Sequence, residues 1–165
     1  MAGDMEGASE DYGVGIDLVG PHSGHSCAYL RSTSDEPMGF IVLSQRFSAS
    51  DFAGKRIKLT GYIRAESVVN WAGLWRRIND SDGALQSFDN MENRPVRGTC
   101  EWVRREIVLD APANAFAIGI GALLVGCGQI WIDDLSIESA PNDLLTAVPE
   151  FDLPLSPTNL DFEIY

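Results

Sequence analysis

Between residues 55 and 66 apolar and polar side chains alternate: Ile57, Leu59, Ile63 and Ala65 hold one set of positions, and Lys58, Thr60, Tyr62, Arg64 and Glu66 the other. A repeat of two is the period at which an extended backbone turns successive side chains to opposite faces, so the segment predicts a half-buried strand with a decorated outer face. No stretch of a dozen residues holds a convincing apolar stripe at i, i+3, i+4 and i+7, so the chain reads as strands. Shorter strand-like segments recur at 26–31, 40–47, 71–78, 85–89, 102–109, 115–124 and 129–138, separated by runs of Gly, Pro, Asn and Asp. Among the connections, Asn79-Asp80-Ser81-Asp82-Gly83 predicts a hairpin loop, Gly126-Cys127-Gly128 a tight link, and 110–114, with Pro112, a turn. Eight short strands suit two antiparallel sheets packed face to face.

A chain of 165 residues, 45% of them hydrophobic, has material for one core and no room for a second full domain. The sandwich is expected over 1–138. Residues 139–158 hold Pro141, Pro149, Pro154 and Pro157, too dense for a helix or an inner strand, and predict an extended strap. Beyond it, Asn159-Leu160-Asp161-Phe162-Glu163-Ile164 alternates again, so 159–165 is expected as a C-terminal strand completing the same or a neighbouring sandwich, with a homodimer as the outcome of exchange. No window approaches the roughly 18 unbroken apolar residues of a membrane helix, and the first fifteen residues lack the basic start and apolar run of a signal peptide. The expectation is therefore a soluble, cytoplasmic chain. Twelve Lys and Arg against 24 Asp and Glu leave a net charge of −12, a field that repels phosphate backbones and anionic lipid, so neither direct nucleic-acid nor membrane binding is expected. Cys27, Cys100 and Cys127 are odd in number and far apart, as suits reduced thiols; one disulfide with a free thiol is the alternative.

Two segments carry a family resemblance: Gly54-Lys55-Arg56-Ile57-Lys58-Leu59-Thr60-Gly61-Tyr62-Ile63-Arg64-Ala65-Glu66, and Gly128-Gln129-Ile130-Trp131-Ile132-Asp133-Asp134-Leu135-Ser136-Ile137. They resemble the middle and closing strands of the jelly-roll carbohydrate-binding modules attached to xylanases and glucanases, which are galactose-binding-domain-like. Trp102, opening a strand after Gly98-Thr99, keeps the same order. Trp71-Ala72-Gly73-Leu74-Trp75, Phe88-Asp89-Asn90-Met91, Arg94-Pro95 and Gly98-Thr99 resemble an uncharacterised accessory domain of bacterial transcription regulators. The resemblance implies an all-β jelly-roll sandwich. It also implies that the letters of the modules' opening strand stand here at the end, at 159–163.

Alternation puts Trp71, Gly73, Trp75 and Arg77 on one strand face and Ala72, Leu74 and Ile78 on the other. If Leu74 and Ile78 are core, both tryptophans share the outer face with Tyr62 and Arg64 on the concave sheet, where flat rings stack on sugars. The other reading buries both tryptophans. Asp89, Asn90 and Arg94 follow a short strand and either orient a ligand at the edge of that face or satisfy their own turn. The expected binding residues are thus Tyr62, Arg64, Trp71, Trp75, Arg77, Asp89, Asn90 and Arg94.

Asp133-Asp134 lies within the last sandwich strand, so one carboxylate should point inward unless a bulge intervenes. The resemblance implies a structural calcium near this strand, and backbone or arginine hydrogen bonds are the plainer alternative. His22-Ser23-Gly24-His25-Ser26-Cys27 offers three possible metal ligands but no nearby fourth partner, and reads as a turn. No nucleophile elbow, phosphate-cradling loop or His-Glu-x-x-His helix is present. The expectation is a non-enzymatic module that takes a carbohydrate or similar small molecule without a cofactor; an accessory or effector-sensing domain making protein contacts is the alternative.

Overall fold

The computed structural model describes residues 10–142. Most of the expected strap and all of the expected last strand lie outside them. Among the described residues eight antiparallel strands run in chain order: β1 (Tyr12–Asp17), β2 (Cys27–Ser32), β3 (Phe40–Ser48), β4 (Arg56–Asn79), β5 (Leu85–Asp89), β6 (Val96–Asp110), β7 (Ala117–Val125) and β8 (Gln129–Ser139). The expected all-β sandwich is what the chain forms.

Segments 55–66 and 71–78, expected as separate strands, are one strand of 24 residues, β4. Midway its inward set changes parity, from Ile57, Leu59, Ile63 and Ala65 to Ala72, Leu74, Arg76 and Ile78. Ser67, at φ 53°, and register shifts against β6 between Ile63 and Ala72 absorb the change. These irregularities bend β4 around a corner of the molecule. Its first half pairs with β8 and β6, and its second half with β7 and β5. One layer is therefore β1-β2-β8-β4-β6, and the other β3-β7-β4-β5. The Gly126-Cys127-Gly128 link passes the same corner. A Cβ on Gly128 would meet Val68 Cα at 2.7 Å, and its φ of 128° already excludes most side chains.

Between the layers Leu30, Ile41, Ile57, Leu59, Ile63, Leu74, Ile78, Ile107, Ile118, Leu124 and Ile130 are fully buried. The alternation read in the sequence thus points the right way in both halves of β4. Strand β1 was not expected, because Gly13 and Gly15 interrupt its pattern; only Tyr12, Val14 and Ile16 face inward. Cys27, Cys100 and Cys127 are all unpaired, as expected. Among the described residues no helix is long and apolar enough to cross a membrane.

Candidate functional site

On the outer face of the second layer, three strands bring a small cleft together around Gly119. That glycine pairs with Arg46 of β3 on one side and with Arg77 of β4 on the other. Trp75, two residues before Arg77, lays its ring over the same glycine: a Cβ there would come within 3.2 Å of Cη2. The absence of a side chain at 119 lets the indole lie across the sheet. The cleft, about 350 Å³, is also lined by Ser44 and Asn79, and among the described residues no acidic side chain lines it. Asn79 accepts a hydrogen bond from Arg77 Nε at 3.1 Å and donates to the Gly83 carbonyl at 2.8 Å, which fixes the guanidinium's direction. The buried indole N–H of Trp75 has no partner among the described residues. A ring, two cations and amide groups in one concavity is a set suited to a flat polar ligand.

Trp71 lies on the same outer face but apart from this cleft. The space at Gly73, between the two tryptophans, belongs to the loop after β5: a Cβ on Gly73 would meet Met91 Cβ at 3.0 Å and the Asn90 carbonyl at 3.2 Å. Met91, held at φ 61°, is buried there. The glycine thus makes room for the protein's own side chain rather than for a ligand. Asp89, Asn90 and Arg94 belong to that loop. Arg94 pairs with Asp89 through both nitrogens, at 2.5 and 3.1 Å, while Asp89 accepts the Met91 N–H and Asn90 the Glu92 N–H. These residues satisfy their own turn.

Tyr62 and Arg64 stand on the other layer, in the half of β4 that pairs with β8 and β6. The structure therefore does not gather the expected residues on one sheet: the corner in β4 sends Tyr62 and Arg64 to one layer and Trp71, Trp75 and Arg77 to the other. Around Arg64 lie two tryptophans, Trp131 at 4.1 Å and Trp102 at 5.3 Å from guanidinium carbon to ring centre. The segment joining β1 to β2 covers this face. His22 stacks on Tyr62 with ring centres 3.5 Å apart, and the Gly20 carbonyl accepts from both Arg64 and Trp102 at 3.2 Å.

Asp133 and Asp134 hold that covering segment. A bulge does intervene, with Asp134 at φ 51°, and frees both carboxylates to turn outward. Asp134 binds His22 Nδ1 and Ser23 Oγ, each at 2.7 Å, and Asp133 accepts the Ser23 N–H at 3.0 Å. The hydrogen bonds from His22 and Ser23 keep the Asp134 carboxyl below its ordinary range. These carboxylates do not fit a structural calcium: their oxygens are taken by the loop, and among the described residues no three His, Cys, Asp or Glu side chains are grouped to hold a metal.

Arg46 was missed in the sequence, although its alternation with Ser44 already turned it outward. Only the register of β3 on β7 sets it beside Gly119 and hence beside Arg77.

This architecture is the β-sandwich fold of carbohydrate-binding modules. The C-terminal family 22 carbohydrate-binding module of Clostridium thermocellum Xyn10B superposes with a TM-score of 0.59 at 11% identity, over 87% of this chain and 88% of that one. The enzymatically active domain of bacteriophage CBA120 tailspike protein 4 superposes with a TM-score of 0.66 at 12% identity, over 84% of this chain and 19% of that one. In sequence, the chain is 36% identical over 157 residues to an uncharacterized HTH-type transcriptional regulator of Bacillus subtilis (strain 168), YbfP, covering 91% of this chain and 52% of that protein. It thus spans about half the length of that relative. No protein-family model matches the chain.

Proposed function

We propose that this protein is a non-catalytic module that binds a carbohydrate or similar polar small molecule in the cleft of Trp75, Arg77 and Arg46. The observation that carries this reading is the indole laid over Gly119 between two guanidiniums. Aromatic faces take the C–H surfaces of sugar rings, and guanidiniums bond hydroxyl or carboxylate oxygens in pairs. In a chain of net charge −12, a cleft lined by two arginines and, among the described residues, by no acid favours a sugar bearing a carboxylate. The Xyn10B module was studied for the role of its cleft in ligand binding, which supports a binding role for this fold without naming the ligand here.

Isothermal titration against neutral xylo- and gluco-oligosaccharides and against uronate-containing ones tests it. Heat of binding is expected with the acidic set, and Trp75→Ala should weaken it by about tenfold or more, the loss of one stacked ring. No heat with any glycan, or full binding by Trp75→Ala, sinks the proposal.

A second reading follows from the relative. As part of a regulator, the domain would sense an effector or make protein contacts, in the cytoplasm and without catalysis. The two readings meet if the sugar is the effector; they part if light scattering detects self-association or partner binding while titration detects no ligand.

A further inference from the structure

The segment between β1 and β2, residues 18–26, lies across the outer face of the first layer. Its apolar residues do not anchor it: Leu18 is 74% exposed and Val19 76%. Polar contacts hold it instead, from the Gly20 carbonyl to Arg64 and Trp102, from His22 to Asp134, and from Ser23 to Asp133 and Asp134. Among the described residues it makes no backbone-to-backbone hydrogen bond. A cover without an apolar anchor or backbone ladder belongs to the least stable parts of a fold and opens locally. Gly20, at φ 66°, and Gly24, at φ 63°, bracket His22. Glycine crosses between positive and negative φ at little cost, so these two positions can absorb the rotation of a hinge.

What the segment covers is built like a binding site. The imidazole of His22 lies on Tyr62, ring centres 3.5 Å apart and planes 17° from parallel, with Trp102 edge-on at 5.8 Å and Nδ1 2.7 Å from Asp134. One ring beneath, one at the side and a carboxylate facing the ring nitrogen is how a flat ligand bearing N–H groups is held. We infer that residues 18–26 form a lid with His22 as its built-in occupant, and that lifting it about Gly20 and Gly24 vacates a second binding site for a planar cation of the amidinium, guanidinium or imidazolium class. Such a ligand stacks on Tyr62 and donates to Asp134, a charge-assisted pairing stronger than a neutral one. Lifting the lid also frees Asp133 from Ser23, while the Arg64 guanidinium stays against the Trp131 ring, 4.1 Å from its centre. A net charge of −12 draws cations toward the protein. The site lies on the opposite layer from the cleft of Trp75 and takes the opposite charge, so it does not rest on the reading given for that cleft.

Benzamidine, a flat amidinium, and benzamide, its neutral counterpart of the same outline, test the inference when titrated into the full chain at neutral pH. Calorimetry gives the affinity, and the indole N–H signals of Trp102 and Trp131 in nuclear magnetic resonance give the place. Benzamidine is expected to move the Trp102 signal of the wild type weakly, because His22 competes for the same place, and to bind His22→Ala about tenfold more tightly. Gly24→Ala strains the closed lid without touching the walls of the site, since a Cβ there meets nothing within 4 Å, and should tighten binding in smaller measure. Val19→Ser should leave the affinity as it is. Benzamide should not bind, and Asp134→Asn in the His22→Ala background should abolish benzamidine binding. Equal affinity in wild type, His22→Ala and Gly24→Ala would overturn the inference. So would benzamide binding as well as benzamidine, binding that survives Asp134→Asn, or binding that leaves the Trp102 signal in place.

Discussion

Arg76 occupies a core position of β4, between Leu74 and Ile78, and is fully buried. Its Nη1 reaches the carbonyls of Ile57 and Leu109 only at 3.4 Å, and Nε and Nη2 have no partner among the described residues. Burial pushes the guanidinium's pKa down to about 10, against the pull of Asp89 and Asp110, so it is charged at neutral pH. Each of those carboxylates has a closer arginine, Arg94 for Asp89 and Arg56 for Asp110. A buried charge so poorly satisfied costs desolvation that its contacts repay only in part. Arg76→Met, similar in length and apolar, is therefore expected to leave stability unchanged or raise it by about 1 kcal/mol. Chemical denaturation checks this, and a loss beyond about 2 kcal/mol would show that the arginine holds the layers together. In the sequence Arg76 sits at an inward position of the alternation, but nothing there says whether such a residue is buried, bulged out or paired.

The segment between β1 and β2 owes its shape to side chains on other strands. His22 rests on Tyr62 of β4, and Ser23 hangs from the carboxylates of β8. Because the ring stack and the hydrogen bond to the Asp134 carboxylate converge on one imidazole, His22→Ala should loosen the whole segment. A stability loss of about 1 kcal/mol is expected, in the range of one aromatic pair. Acrylamide should then quench the fluorescence of Trp102 and Trp131 more readily, and unchanged quenching would mean that the segment is held elsewhere. The sequence reading placed His22 in a turn and stopped there, because a residue 112 positions from Asp134 carries no local mark of that partner. Strand β4 teaches the same lesson: both halves were legible from their alternation, whereas the corner at Ser67 that joins them, and that divides the expected binding face in two, was not.

For the molecule as a whole, hydrogen bonds to charged or polar partners depress the carboxyls of Asp17, Asp110, Asp134 and Glu138 in the folded state. Val19 and Trp131 do this for Asp17, Arg56 for Asp110, His22 for Asp134 and Lys58 for Glu138. A group whose folded pKa lies below its unfolded one contributes stability that is present above the ordinary value, 3.8 for Asp and 4.5 for Glu, and lost as pH falls through the folded one. The urea midpoint should thus hold between pH 7 and about 5 and fall between about 4 and 2. A midpoint that is flat down to pH 2 would contradict the linkage.

Alternation along each strand decided from sequence which side chains are core, and with it the sandwich, because burying one face of an extended ribbon needs only the order of residues. The turns were as local, being written in glycine, proline and aspartate. What the strands face was decided by tertiary structure alone. Register set Arg46 and Arg77 on either side of Gly119, and a corner in β4 carried Tyr62 away from Trp75. Those outcomes depend on pairings between residues far apart in the chain, which no single segment encodes.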